Sequence, residues 1–466
     1  MPSSATASAS ASPEKGKGFR PGFLRAGMNL LRESSVQFFR TMVGIRQKRR
    51  SGHSRIMDDP LVYKPVLYAI STTLVFRALA ANIVTSARVE LMLKMHKGNA
   101  SAAALALGKI RATGAFVEFL IGPMIGKLSD AYGRRVIMTF CSFVSACGTL
   151  LVQARPYSLW VHWLTQIPSI AFSTAYFASM RAQMADVMSG RNIAENAFMH
   201  MAPAGFAMIG APMMAARLTT MQCYRVSSLS MVLCVWILYN QEETLSIEDR
   251  RPVDWSSCNP FSFFKIFASG PTLRTLALTS GIQTYTDSRL MDNLSIQTMR
   301  QNLNWGKNRI DRQLTWQALS GFLGVPYGKL SIKRFGRIVH THYSHVFKLI
   351  AYYTWANATN SRQLRLVQLI LLFGQRQRDG TETLITDVAI KKGFGKGEIE
   401  SYKMNWRSVS NMFAPIIYSR SFSYGKTVGK KALPFYSAMA LTLLSEVVLS
   451  VGMAMSKGEA HGVVID

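Results

Sequence analysis

From Pro65 onward the chain is built of apolar runs, each about long enough to cross a bilayer at roughly 20 residues per span, with short polar breaks between them. That spacing leaves few folds open. A segment crossing hydrocarbon must satisfy its backbone polar groups internally, and runs of this length do so as helices. Twelve runs begin near Val66, Gly108, Val136, Ser158, Ala197, Ser227, Thr272, Gln313, Val339, Gln363, Asn405 and Leu433. The ninth is the most polar, crowded by His340, His342, His345 and Lys348. The expected fold class is therefore an all-α polytopic membrane protein with twelve transmembrane helices. Its mean hydropathy of +0.11 is low for such a protein, because the Ser-, Ala-, Arg- and Lys-rich segment from Met1 to Lys64 dilutes the average.

The runs repeat. Gly126-Lys-Leu-Ser recurs as Gly328-Lys-Leu-Ser, an offset of 202 residues (328 − 126). Asp186-Val187 recurs as Asp387-Val388 at 201 (387 − 186), and Pro212 is matched by Pro415 at 203 (415 − 212). Three anchors at nearly one offset imply two pseudo-symmetric six-helix halves, a common build among transporters. The expected organisation is a basic N-terminal segment over 1–64, a first half over 65–247, a linker over 248–271, a second half over 272–456 and a tail over 457–466. The linker contains the amphipathic stretch Asn259-Pro-Phe-Ser-Phe-Phe-Lys, with Pro260 suited to a helix start.

The formal charge of +29 would suit a nucleic-acid binder, but many basic residues stand in short loops beside apolar runs, as the positive-inside rule requires. A nucleic-acid partner is not expected; the lipid bilayer is. Lys127, Arg134 and Arg135 form one cluster, Lys329, Lys333, Arg334 and Arg337 another, and Lys391, Lys392 and Lys396 a third. Placing them on one side puts the N-terminus in the cytosol or its topological equivalent, although Arg300, Lys307, Arg309 and Arg312 then fall outside. Sequons at Asn99, Asn293 and Asn357 would all lie toward the outer side. Between Phe19 and Arg50 apolar pairs alternate with Arg and Lys, which suits a membrane-surface helix, a transit peptide or a plain cytosolic tail.

The most specific local pattern is Gly126-Lys-Leu-Ser-Asp-Ala-Tyr-Gly-Arg-Arg, ending at Arg135 between the second and third runs. Two glycines there would allow a tight turn. The pattern resembles the loop between the second and third transmembrane helices of the major facilitator superfamily, Gly-x-x-x-Asp-x-x-Gly-Arg-Arg/Lys. The resemblance covers roughly Pro65 to Met455. Asp186 and Arg191 stand where members often carry an acidic residue and then an arginine. Glu243-Thr244-Leu245 is similar to the family's Pro-Glu-Thr-Leu, with Gln241-Glu242 in place of the usual proline. The resemblance implies a gating network of Gly126, Asp130, Gly133, Arg134, Arg135, Arg191 and Glu243 at the cytoplasmic mouth, made in one access state and broken in the other. In the second copy Ile332 replaces the aspartate, so any second latch must differ. Gly210-Ala211-Pro212 with Ala215-Ala216 weakly resembles the Gly-Pro-x-x-Gly-Gly of antiporters, which tilts slightly toward the tetracycline-resistance and drug-antiporter branch.

Ionisable groups inside the runs are costly and mark function. Arg77 lies about a dozen residues into the first run and is expected to face the central cavity, paired with Glu118 or Asp287. Glu118 shares a four-residue spacing with Gly114, Gly122 and Gly126, hence one helix face at a close helix contact. Arg77, Glu118, Asp287 and Arg376 are the cavity or coupling candidates, since the resemblance implies that helices one, four, seven and ten line the cavity. The histidines at 340, 342 and 345 read as solvated loop residues rather than metal ligands, and the five scattered cysteines read as apolar packers. No catalytic triad, nucleotide loop, cofactor or metal constellation is expected, and no enzyme. The expected function is secondary active or facilitative transport of a small organic solute, by proton coupling or by facilitated diffusion, across the plasma membrane or an organelle membrane. The alternative is a transporter-derived receptor or scaffold without transport.

Overall fold

The computed structural model describes residues 60–187, 190–245, 248, 250, 258–288 and 290–455. The N-terminal segment before residue 60 and the tail after residue 455 lie outside them. The described residues are helical throughout, as the apolar periodicity requires, with no strand among them. The first group comprises α1 (Pro60–Ile83), α2 (Thr85–Met95), α3 (Ala100–Tyr132), α4 (Arg134–Ala154), α5 (Leu159–Val187), α6 (Gly190–Ala215) and α7 (Thr220–Asn240). A 3₁₀ turn at Pro260–Phe263 and the short α8 (Phe264–Ala268) follow. The second group comprises α9 (Pro271–Thr286), α10 (Leu290–Asn302), α11 (Lys307–Phe335), α12 (Arg337–Ala356), α13 (Ser361–Gly374), α14 (Gln377–Lys391), α15 (Lys396–Thr427) and α16 (Leu433–Met455).

Among the described residues, four segments are long and apolar enough to cross a membrane by length and composition alone: Pro65–Met95, Arg134–Ala154, Thr220–Asn240 and Leu433–Met455. The other long helices carry more polar residues, and many of these are turned inward. Helix ends follow local chemistry. Asn99 caps α3 by accepting from the Ala102 N–H at 3.2 Å, and Asn360 caps α13 by accepting from the Gln363 N–H at 3.0 Å. Thr219 and Gln222 form a capping box at α7.

The Gly126–Arg135 segment differs from the expected loop. Helix α3 continues through Gly126 to Tyr132, and Gly133 alone makes the break, at φ 107°. Gly336 makes the corresponding break in the second group at φ 80°. Two further interruptions, at Val84 between α1 and α2 and at Asp287 and Ser288 between α9 and α10, also stand at matching places in the two groups.

Within the first group α1 packs on α6 and α7, α3 on α5, and α4 on α5 and α7. Within the second, α9 packs on α14 to α16, and α12 on α13, α14 and α16. The groups meet along two seams, α3 against α15 and α6 against α11. Close approach at the first seam depends on Gly108, where an added Cβ would lie 3.0 Å from the Pro415 carbonyl and closer still to Ser419.

The apolar cores are distributed unevenly along the bundle. At the Asn99 end one cluster runs through both groups, joining Val89, Leu107 and Ile110 to Met299, Ile310, Trp355, Tyr418 and Phe435. At the Gly133 end one cluster lies within the first group, around Ile70, Met138, Tyr176 and Leu238; another, around Leu273, Ile385 and Ile399 of the second group, also takes in Phe263 of the 3₁₀ turn and Phe119 of α3.

Two sequence expectations are corrected here. The histidines of the ninth run are not loop residues; His340 and His345 are buried in α12. That helix turns its polar face into the second group and its apolar residues Val339, Val346 and Ile350 outward, the pattern lipid favours. Asn293 is only 1% exposed inside α10, so it cannot accept a glycan, whereas Asn99 and Asn357 are exposed at the same end of the bundle.

Candidate functional site

The charged residues around Gly133 converge. At the start of α4 the first backbone N–H groups have no partner within the helix, and Glu243, more than a hundred residues away, supplies it. Its carboxylate accepts from the Arg134 N–H at 3.0 Å and the Arg135 N–H at 3.1 Å, complementing the positive end of the helix dipole. A side chain at Gly133 would collide with that carboxylate, so glycine is required by space as well as by φ. The Arg134 guanidinium pairs with Asp130 and, at 3.3 Å, with Asp186, which also accepts from the Thr244 hydroxyl at 3.2 Å. Arg135 donates to the Gln241 carbonyl at 2.8 Å. Asp130, Gly133, Arg134, Arg135 and Glu243 are thus brought together. Gly126 is helical and lies apart, and the Arg191 side chain lies outside the described residues. In the second group Arg337 pairs with Asp387, at the positions that match Arg134 and Asp186, so half of the arrangement is duplicated despite Ile332.

The candidates within the helices are rearranged. Arg77 is 7% exposed and points into the first group, against α4 and α5. It stacks 3.9 Å from the Tyr176 ring centroid and donates to the Ser142 hydroxyl at 3.2 Å. No carboxylate among the described residues pairs with it, so the expected partnership with Glu118 or Asp287 is not made: aromatic and hydroxyl neighbours satisfy the guanidinium instead. Glu118 lies in the seam, accepting from Thr174 of α5 at 2.6 Å and from Ser408 of α15 at 3.1 Å. Asp287, at the break between α9 and α10, pairs with Lys348 of α12 and, at 3.3 Å, with Arg378 of α14. Arg376 pairs with Asp379 at 2.7 Å and packs against Gly328 of α11.

Sequence reasoning missed Lys348 as the buried partner of Asp287 and missed Arg407 of α15, which pairs with Glu382 of α14. A lysine and an arginine well inside apolar runs were the available signals. Beside Lys348 the second group holds a further polar cluster, in which Glu446 of α16 bridges His342 at 2.6 Å and His345 at 2.7 Å. His345 also meets Gln283 at 2.9 Å.

No protein-family model matches the chain. It is 25% identical over 179 residues to the class C tetracycline resistance protein of Escherichia coli, a match taking in 37% of this chain and 43% of that protein's length. Among solved structures it superposes on the human organic anion transporter MFSD10 with a TM-score of 0.64 at 17% identity, covering 84% of this chain and 100% of that one. The chain has the fold of the major facilitator superfamily. The nucleoside transporter NupG shares the fold at a TM-score of 0.61 and 13% identity, over 83% of this chain and 99% of that one. So does a bacterial homologue of the human lysosomal transporter Spinster, solved inward-facing, at 0.65 and 10%, over 86% and 98%. Glu118 thus lies at the seam between the two groups, and Asp287 at the break between α9 and α10 of the second.

Proposed function

We propose that the chain is a secondary transporter that moves a small organic solute by alternating access between two six-helix halves. On this reading α1 with α2, α9 with α10 and α13 with α14 are each one interrupted passage, giving twelve in all, with residues 248–271 as the linker between halves. Interrupted helices at the polar centre are a recurrent transporter device.

The observation that carries the reading is the uneven core. At the Asn99 end one apolar cluster draws many residues from both halves, while at the Gly133 end the first half contributes only Phe119 to the cluster of the second. Two bodies joined by a broad core at one end and a narrow one at the other can rock about a central site. With the basic Gly133 end facing the cytosol, this is an inward-open arrangement. The Arg134, Asp130 and Asp186 pairs would then act as a latch whose strength differs between the two access states. Asp287 and Glu118 would be the protonatable groups that couple solute to protons, with Lys348 and Arg378 released when Asp287 takes a proton.

The test is uptake of a radiolabelled solute panel by proteoliposomes, with and without a pH gradient. Saturable uptake of any member supports transport. A folded protein that binds solutes but moves none would be the receptor or scaffold instead.

A further inference from the structure

A line of charges runs through the second half toward α5 of the first. Asp287 holds Lys348 and Arg378. One turn along α14 from Arg378, Glu382 pairs with Arg407 of α15. The Arg407 guanidinium also feels the positive charges of Arg378 and of Arg181, which comes from α5 of the other half. Lys403 and Glu400 pair with each other and cancel. Four cations, Lys348, Arg378, Arg407 and Arg181, therefore face two carboxylates, Asp287 and Glu382, an excess of two positive charges (4 − 2). Counting Glu118 as ionised still leaves one.

Arg181 is the exposed member, with no ion pair or hydrogen bond among the described residues. It lies seven residues after Thr174, on the same face of α5. Thr174 binds Glu118, which in turn binds Ser408 of the second half, so that face of α5 looks toward the seam between the halves. The site also holds unused hydrogen-bonding capacity. Arg407 Nε and Glu382 Oε1 are buried with no partner among the described residues, where buried polar atoms are ordinarily satisfied.

We propose that an organic anion binds between the two halves, clamped by Arg181 of the first and Arg378 of the second. The proposal rests on the transport reading and names its substrate class. Guanidinium forks match a carboxylate, phosphonate or sulfonate group in shape and charge. Without the anion, like charges on the two halves resist closure at the Gly133 end. A bound anion removes that repulsion, so the solute itself promotes the rocking step.

The test uses the full chain in proteoliposomes and two size-matched solute sets, benzoate with benzamide and benzylamine, and succinate with succinamide and 1,4-diaminobutane. Anionic members should be taken up at least tenfold faster than their neutral or cationic counterparts. Arg181→Gln should cut that uptake at least tenfold and Arg181→Lys should restore part of it. Arg181 is exposed and unpaired, so its replacement leaves folding intact, whereas Arg378→Gln disturbs Asp287. Preference for a neutral or cationic member, or anion uptake unchanged in Arg181→Gln, overturns the proposal. If no member of either set moves, transport fails for these solutes and the site is judged by binding alone. A rise in thermal midpoint given only by the anions and lost in Arg181→Gln then supports it; no charge-dependent rise overturns it.

Discussion

Glu118 of α3 accepts a hydrogen bond from Ser408 of α15 at 3.1 Å, so a carboxylate of one half is tied directly to a hydroxyl of the other. The same carboxylate accepts from Thr174 at 2.6 Å. A group that must change its charge or its partners when the halves move apart is well placed to link protonation to motion. Glu118→Gln keeps the shape but cannot cycle between charged and neutral forms. Uptake driven by a pH gradient should fall at least tenfold, while solute exchange at equal pH on both sides stays within about twofold. Exchange and gradient-driven uptake falling together would show that Glu118 only shapes the seam.

Glu243 and Asp130 should separate structurally and functionally. Glu243 caps two backbone N–H groups of α4, so Glu243→Ala should cost about 1–2 kcal/mol of stability, read as a lower thermal midpoint. Asp130 is 43% exposed, and its pair with Arg134 is worth under about 1 kcal/mol. Asp130→Asn should therefore fold normally and slow transport several-fold. An Asp130→Asn protein with an unchanged rate would remove the latch.

Lys348 is 3% exposed and held by Asp287. Asp287→Asn would strand that ammonium, a change that costs about 3–5 kcal/mol when a buried pair loses one partner. The double variant Asp287→Asn with Lys348→Met should recover most of the loss, measured by thermal unfolding in detergent. Additive losses in the double variant would show that the two groups are not coupled.

Arg77 should matter for stability and not for solute handling. Its guanidinium lies on Tyr176 inside the first half, and an ammonium cannot reproduce that stack. Arg77→Lys and Arg77→Met should both lower the thermal midpoint, while uptake per folded molecule stays within about twofold. A tenfold loss of uptake in well-folded protein would return Arg77 to the cavity.

At the Asn99 end Lys307 of α11 donates to the Leu218 carbonyl at 2.7 Å and pairs with Asp311 at 3.2 Å, so it fastens the second half to the end of α6. It borders a cleft of about 520 Å³ that also contains Glu90, Lys94 and Arg300. Lys307→Met should weaken the closure. Labelling of a buried reporter, Met299→Cys, by an impermeant maleimide should then accelerate several-fold. Equal labelling rates in the two backgrounds would remove Lys307 from the gate.

The sequence by itself determined the helical class, the duplicated pattern and the gathering of charges at Gly133, because these depend on local properties. Apolar run length sets what can cross a bilayer, and repeat offsets survive duplication. The spacing of Asp130, Gly133, Arg134 and Arg135 is short enough to be read along one turn. Only the tertiary structure decided the partners of the charges within the helices. Arg77 was expected against a carboxylate and instead lies on Tyr176, 99 residues away (176 − 77), because helix rotation, invisible in composition, turned it inward. Asp287 found Lys348 in a stretch whose histidines had read as solvated, since α12 buries its polar face within its own half. The contact of Glu118 with Ser408 joins residues from opposite halves. No local pattern encodes that meeting; it exists only once the two bundles are packed along the α3 and α15 seam.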